Sequence, residues 1–270
     1  MLPPQPVLDA FECTGTPQPL AGGQARSIRC GDVVLKPCDC DDSEETDWVC
    51  ESLVSLDAAG FRVAMPLRTR DGCWEANGWT AAEFVMGRSD PEGRWSQLFT
   101  AGRRFHEALR ELSRPAFLDR RQHQWAIADR VAWGEAEIEP LPDLSPVIER
   151  CISLLRPIEV DSQVVHGDLS GNVLFADGLE PAIIDFSPYW RPTAWAEAVV
   201  AVDGILWYGA DHHLFDIAGA EHADFPQVLV RAVIFRVVAL NERVRRIGGS
   251  YHADLASFES LASTCEQLCN

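Results

Sequence analysis

One continuous block, residues 164–192, constrains the fold of this chain more than any other part of it. The block reads VVHGDLSGNVLFADGLEPAIIDFSPYWRP, and two short apolar runs in it, VV and AII, each lead into a cluster of polar residues. Short apolar runs bounded by turn-forming residues predict buried strands. We therefore expect Asp168, Asn172 and Asp185 to lie close together at the ends of neighbouring strands.

Two carboxylates and a carboxamide in this arrangement fit phosphoryl transfer from a nucleotide. One Asp accepts the proton of the attacking hydroxyl, while an Asn and a second Asp hold Mg²⁺ against the phosphates. In this assignment Asp168 is the base, and Asn172 and Asp185 are the metal ligands. The alternative is a plain polar turn, since Gly, Asp, Ser and Asn all favour turns. The apolar run directly after the Asn and the nearby IIDF sequence favour the functional interpretation.

The block resembles the core of the aminoglycoside phosphotransferase and choline kinase family, the small-molecule relatives of protein kinases. Together with residues 117–135 it is similar to an actinobacterial branch of these proteins, and the similarity spans most of the chain. The resemblance implies an α+β, protein-kinase-like two-lobed fold. A small strand-rich N-terminal lobe that binds nucleotide would cover residues 1–86 and end in the hinge. A larger helical lobe over residues 87–270 would hold the catalytic loop and the acceptor site.

The pattern of apolar residues also predicts a strand-rich part followed by a helical part. Residues 1–36 have the composition of strands and turns, including a hairpin that turns at Gly31. A helix is predicted over residues 43–59 because apolar residues recur there at helical spacing, and Gly60 would end it. Further strands are predicted at 63–67 and 79–85, and further helices at 95–112, 125–137, 193–208, 226–247 and 253–268.

The resemblance implies which residues of the first lobe would hold ATP. Gly22 and Gly23 fall where a glycine loop would cover the phosphates, because glycine lets backbone amides approach phosphate oxygens. Lys36 ends the predicted strand VVLK and resembles the lysine that contacts the α- and β-phosphates. Two adjacent glycines alone usually indicate a turn, and a lysine at a strand end is usually a solvated charge. Their position upstream of the HGD block favours phosphate contact.

Two more contacts on the nucleotide side follow from the same resemblance. The strand lysine would need a glutamate partner on the next helix, and Glu45 lies on the apolar face of that helix. Glu44 and Glu51 remain alternatives for this partner. The segment AEFVMG resembles the inter-lobe hinge, where Glu83 and Val85 would offer a backbone carbonyl and an amide to adenine.

The catalytic loop has one departure from the family pattern. The family's Asn usually lies five residues after the Asp, whereas Asn172 lies four residues after Asp168. We predict that Gly171 absorbs the shorter loop with unusual backbone dihedrals, and that His166 braces the loop through hydrogen bonds without acting as a base. If the loop were displaced, the protein would be a nucleotide-binding pseudokinase or regulatory protein without transfer activity.

Charge and composition limit the classes of partner. The 41 acidic and 23 basic residues give a formal net charge of −18. This charge disfavours nucleic acid and membranes as partners and favours a cationic small-molecule acceptor. No run approaches the ~18 apolar residues of a membrane span, and the N-terminus lacks the features of a secretory signal, so a cytoplasmic protein is expected. The nine cysteines contain no C-x-x-C pair, which predicts reduced thiols and no zinc site.

The acceptor is expected to contact the C-terminal helices. Acidic and aromatic residues are concentrated there, namely Trp190, Glu197, Asp203, Trp207, Asp211 and Glu221. The chain has no long activation segment after Asp185 and no A-P-E sequence, which disfavours a protein kinase. The predicted function is an ATP- and Mg²⁺-dependent phosphotransferase that acts on a hydroxyl of an aminoglycoside-like compound, an amino alcohol or a sugar.

Overall fold

The strands of the protein form three sheets in the part of the chain that the structure describes. The structure is a computed structural model, and it describes residues 2–20, 26–38, 43–220 and 222–270. The strands are β1 (Gln18–Pro19), β2 (Ile28–Cys30), β3 (Val33–Pro37), β4 (Arg62–Val63), β5 (Glu75–Ala76), β6 (Trp79–Glu83), β7 (Gln163–His166), β8 (Val173–Leu174), β9 (Ala182–Ile183) and β10 (Pro188–Arg191). The first sheet has the order β1-β2-β3-β6-β5 and is antiparallel throughout.

The predicted hairpin is confirmed as β2 and β3. Ile28 pairs with Leu35 and Cys30 with Val33, and Gly31 adopts a φ of 65° at the turn. A positive φ of this size favours glycine, because glycine has no Cβ. One face of the sheet packs on a short helix, α1 (Gln5–Ala10). The prediction of strands and turns is wrong for this helix, because six residues are too few to show helical periodicity.

The next helix, α2 (Ser43–Ser55), ends four residues before its predicted end. The amide of Leu56 donates to the carbonyl of Leu53 at 3.4 Å, and Ala59 donates to Asp57 at 3.0 Å, so the chain turns before it reaches Gly60. The predicted strands at 63–67 and 79–85 are also shorter in the structure, as β4 and β6. The types of these elements are confirmed, and their ends differ from the prediction by two to four residues.

Helices make up most of the rest of the chain. They are α3 (Trp95–Ala108), α4 (Gln124–Ala132), α5 (Ser145–Ser153), α6 (Thr193–Trp207), α7 (His213–Gly219), α8 (Phe225–Ile247) and α9 (His252–Cys269), with a 3-10 turn at Ala116–Asp119. The sequence prediction missed α5 and α7. Helix α8 is buried over most of its length and packs against α4, α6, α5 and α9, so it forms the centre of the helical core.

The two small sheets place the polar residues of the block 164–192 beside the helical part. Strand β7 pairs with β10 in antiparallel register, with His166 opposite Pro188. Strand β9 pairs with β8 on one side and, in parallel, with β4 of the N-terminal part on the other. The loops after β7 and β9 therefore lie where the strand-rich and helical parts of the chain meet. None of the helices in the described ranges is both long and apolar enough to span a membrane.

Candidate active site

A tight loop, residues 167–172, joins β7 to β8 and carries two of the predicted site residues. The amide of Asn172 donates to the carbonyl of Leu169 at 3.0 Å, which closes the loop as a single turn. The Nδ2 of Asn172 donates to the backbone carbonyl of Asp168 at 2.7 Å and to its Oδ2 at 3.2 Å. The shorter loop therefore still holds the Asn side chain against the Asp.

Gly171 does not absorb the shorter loop in the predicted way. Its φ lies outside the left-handed region, so the prediction of unusual dihedrals is wrong. The turn between Leu169 and Asn172 takes up the missing residue without them. A Cβ on Gly171 would lie 3.3 Å from the hydroxyl of Tyr208. The glycine thus provides room for a neighbouring side chain.

His166 connects the loop to the end of β9 and to helix α3. Its Nδ1 accepts a hydrogen bond from the amide of Asp168 at 3.1 Å, and its Nε2–H donates to the carbonyl of Ile184 at 3.2 Å. Its own amide donates to Nε2 of His106 at 3.1 Å. Burial lowers the pKa of the His166 ring, which keeps the imidazole neutral and leaves Nδ1 a lone pair for the Asp168 amide. These contacts are those of a bracing residue, and both ring nitrogens are engaged.

His106 gives the fold a pH dependence. It is buried on α3, and burial lowers its pKa from 6.5 to about 3. The unfolded chain takes up a proton on this ring below about pH 6.5, and the folded protein does not until about pH 3. The contribution of the neutral His106 ring to the free energy of unfolding is therefore fully present above about pH 6.5 and is lost as the pH falls towards about 3. When the pH is lowered from 7 to 5, the unfolding free energy of the wild type should therefore fall. That of His106→Gln should fall by about 2 kcal/mol less, because the variant lacks this ring.

Urea titrations of both proteins at the two pH values measure this difference. The matched control is His213→Gln, since the His213 side chain is 72% exposed, and this variant should lose as much stability as the wild type. An equal loss in His106→Gln and wild type would contradict the prediction.

Asp185 follows β9 and lies beside the catalytic loop. The amide of Ile184 donates to the backbone carbonyl of Asn172 at 2.9 Å, which brings the next residue, Asp185, next to the Asn. Asp185 has a φ of 52°, an uncommon conformation for a residue with a Cβ. Its carboxylate accepts a hydrogen bond from Nζ of Lys36 on β3, and both side chains are about one-third exposed. Lys36, Asn172 and Asp185 therefore share one open site.

The predicted partner of Lys36 is wrong. The carboxylate of Glu45 on α2 instead accepts two hydrogen bonds from Arg121, at 2.6 and 3.1 Å. Arg121 also donates to the carbonyl of Pro188 at 2.6 Å. Its side chain is only 7% exposed, and a buried guanidinium requires a carboxylate whose two oxygens match its planar fork. The alternatives also have arginine partners, which are Arg120 for Glu44 and Arg68 for Glu51.

The segment predicted to be the hinge runs from the end of β6 across to the loop after β8. The amide of Glu83 donates to the carbonyl of Met65 at 2.8 Å, and Phe84 donates to Asp32 at 2.7 Å. Among the described residues, the amide of Val85 has no hydrogen-bond partner. This amide remains a candidate for base contact. The predictions for Gly22 and Gly23 lie outside the described residues.

Arg236, which is not among the predicted site residues, reaches the site from the middle of α8. Its guanidinium binds Asp203 of α6 through two hydrogen bonds of 2.6 and 2.5 Å, and Nη2 also donates to Oδ1 of Asp168 at 2.8 Å. Burial raises the pKa of Asp203 to about 6, and the Arg236 charge opposes that rise. A single Arg inside the apolar run AVIFRVVAL was the sequence signal, because charged residues are rarely buried unless they are paired.

The predicted acidic acceptor surface is wrong for two of its residues. Glu197 is buried and binds Arg103 at 2.7 and 2.9 Å, and Asp203 is buried against Arg236. Neither carboxylate is exposed to bind an acceptor. Trp207 has 51% of its surface exposed, and its ring lies 5.3 Å from the Arg236 guanidinium that contacts Asp168. Glu221 lies outside the described residues.

The oxygen donors of this site fit a magnesium ion that is shared with a bound phosphate. Mg²⁺ prefers oxygen ligands and usually binds through one or two protein carboxylates together with waters and substrate phosphates. Asp185 provides a carboxylate and Asn172 an amide oxygen, because its Nδ2 is directed to Asp168. In the described ranges no group of three or more His, Cys, Asp and Glu residues is placed to hold a metal alone. The donor set therefore fits a metal whose coordination a nucleotide completes.

Comparison of the sequence with family models identifies the class. Residues 19–213 match the model of the phosphotransferase enzyme family, APH. The chain belongs to this family, and it is a small-molecule kinase. A comparison with curated protein sequences gave no match.

Solved structures with the same fold confirm the two-lobed α+β, kinase-like architecture. One is the spectinomycin phosphotransferase APH(9)-Ia in complex with ADP and spectinomycin, with 15% identity, a TM-score of 0.56 and 93% of each chain covered. A second is the choline kinase LicA from Streptococcus pneumoniae, with 11% identity, a TM-score of 0.61, and 93% of this chain and 94% of that one covered. A third is the amicoumacin kinase hAmiN in complex with AMP-PNP and Ca²⁺, with 19% identity, a TM-score of 0.60, and coverage of 93% and 88%.

Proposed function

We propose that the protein transfers the γ-phosphoryl group of ATP, with Mg²⁺, to a hydroxyl of a small molecule. One observation carries this proposal: Asp168, Asn172, Asp185 and Lys36 lie around one open site through the contacts described above. Asp168 is the candidate base because its side chain is half-exposed. Mg²⁺ bound by Asn172 and Asp185 would neutralise charge on the phosphate oxygens.

The chain's own residues would act at defined atoms during transfer. As the O–H bond of the acceptor breaks, its proton moves to the carboxylate of Asp168. The acceptor oxygen forms a bond to the γ-phosphorus, and the bond from phosphorus to the bridging oxygen breaks, so that ADP leaves. Lys36 would bind the phosphates with its ammonium group, while the Val85 amide would contact the base. The contact between Asn172 and Asp168, which the shortened loop retains, favours transfer over the pseudokinase alternative.

The chemistry of the acceptor follows from what remains exposed near Asp168. Two of the expected acidic residues are buried in ion pairs, so close recognition of a polycation would need other carboxylates. Asp211 is exposed near the end of α6. The half-exposed Trp207 offers an apolar face, as a sugar ring or an amino alcohol requires. Spectinomycin, hygromycin B and choline are the first acceptors to test by ADP release, because structural relatives carry these names.

The nucleotide site is tested by thermal unfolding with ATP, with and without Mg²⁺. A ligand at about 100 times its dissociation constant adds roughly 2.7 kcal/mol, which is a shift of a few degrees at this size. We expect this Mg²⁺-dependent shift in the wild type and its loss in Asp185→Ala, since the variant lacks the metal carboxylate. Asp177→Ala, an exposed carboxylate on the loop after β8, is the matched control and should keep the shift. No shift in the wild type at saturating ATP would contradict the proposed function.

A further inference from the structure

Arg236 has more contacts than a structural ion pair requires. It lies on α8 with 2% of its side chain exposed, and the Asp203 carboxylate on α6 is 1% exposed. The two form a bidentate ion pair, which compensates the desolvation of both buried charges. The third hydrogen bond, from Nη2 to Oδ1 of Asp168, leads out of the core to a side chain that is 50% exposed.

The guanidinium fixes the direction of this third bond. Its atoms are coplanar, so two bonds to Asp203 determine where Nη2 points. The rings of Trp125 and Trp207 each lie 5.3 Å from the guanidinium carbon and shield it from water. Asp168 is thus held at Oδ1 by Arg236 and at Oδ2 by Asn172. Each carboxylate oxygen retains a second lone pair for the acceptor hydroxyl.

The cluster of Asp168, Asp203 and Arg236 contains two carboxylates and one guanidinium. Asp168 and Asp203 carry two negative charges when both are ionised, and Arg236 carries one positive charge. Without Asp203, the full positive charge of the guanidinium would act on Asp168 alone. Asp203 therefore holds the guanidinium in place and compensates its positive charge. Arg236 can then orient Asp168 without acting on it as an uncompensated cation.

We propose that Arg236, held by Asp203, is a positioning residue that sets the orientation of the Asp168 carboxylate for proton acceptance. This inference rests on the proposed function, since it assigns a role only if Asp168 is the base. It places the determinant of that orientation on α8, about 70 residues from the loop itself. Arg236 itself needs no contact with the nucleotide or the acceptor.

The test measures ADP release from Mg·ATP, with water as acceptor, in the wild type and in Arg236→Gln, Arg236→Lys and Asp203→Asn. We expect kcat to fall about 10- to 100-fold in Arg236→Gln while KM for ATP stays unchanged, because orientation and not nucleotide binding is lost. Arg236→Lys should recover part of the rate, since a single ammonium group can donate to Asp168 but cannot match both carboxylates. In Asp203→Asn, kcat should fall by as much as in Arg236→Gln, because the guanidinium loses its anchor.

Two controls separate positioning from folding. Glu197→Gln disrupts another ion pair of a buried α6 carboxylate, to the half-buried Arg103, and should leave kcat and KM unchanged. The double variant Arg236→Met/Asp203→Leu replaces the buried pair by apolar side chains, which often preserves stability. It should stay folded, keep its Mg·ATP thermal shift and show the same loss of kcat.

The outcomes distinguish this inference from the proposed function. An active wild type with folded Arg236 variants whose kcat lies within twofold of it would overturn the positioning role alone. So would a rise in KM for ATP as large as the fall in kcat. A wild type that releases no ADP, whether with water, spectinomycin, hygromycin B or choline, would overturn the proposed function, and the positioning role with it.

Discussion

Replacing Asp168 by Asn should lower the rate of phosphoryl transfer about 10²- to 10⁴-fold, because the amide cannot accept the proton of the acceptor hydroxyl. The change conserves the shape of the side chain. ATP should still bind, since Lys36 and Asp185 are untouched, and the Mg²⁺-dependent thermal shift should persist. Initial rates of ADP release with whichever of spectinomycin, hygromycin B or choline is accepted, measured alongside the thermal shift, give both results.

The matched control for this variant is Asp177→Asn, which changes an exposed carboxylate after β8 and should transfer at the wild-type rate. Activity of Asp168→Asn within tenfold of the wild type would remove Asp168 from the role of base. Loss of the thermal shift in Asp168→Asn would show that the side chain contributes to nucleotide binding instead.

Replacing Phe105 by Ala should lower the unfolding free energy by about 3–5 kcal/mol, because it removes a fully buried ring. The ring is fully buried on α3. It makes edge contacts with Phe61 at 5.5 Å, Phe186 at 5.2 Å and His166 at 6.2 Å between ring centroids. Removing it leaves a cavity beneath the catalytic loop that these rings cannot fill without moving, so activity should fall as well.

Urea titration measures the loss, and thermal unfolding should show a midpoint lower by on the order of 10 °C. Ile247→Ala is the control, since Ile247 is 71% exposed at the end of α8 and should change stability by less than about 0.5 kcal/mol. A loss below about 1 kcal/mol for Phe105→Ala would mean that the surrounding aromatic rings close the cavity.

The residues next to each other in sequence were the ones that could be predicted. Asp168 and Asn172 share one turn, and the burial of β7 and β9 follows from short apolar runs, so local pattern places these side chains together. The resemblance added the overall fold, which the family and the solved structures confirm. Lys36 also reaches Asp185, although 149 residues separate them.

The partners that could not be predicted are arginines from distant segments of the chain. The choice of Glu45 as the partner of Lys36 considered only the face of α2, and Arg121 competes for that carboxylate from a distant segment. In the same way, acidic residues such as Asp203 and Glu197 suggested a surface that binds cations. The packing of the helices instead buries both carboxylates against arginines. Which ion pair forms depends on how helices pack, and a single sequence contains no direct record of that packing.

The ion pair between Arg121 and Glu45 fixes the position of α2 before any ligand binds. Through its bond to Pro188, Arg121 connects α2 to the strand that pairs with β7. Rotating α2 away would separate a buried ion pair, and at a cost of about 3 kcal/mol fewer than one molecule in a hundred would do so. The position of α2 against β10 is thus preorganised, and ligand binding need not supply the free energy to set it.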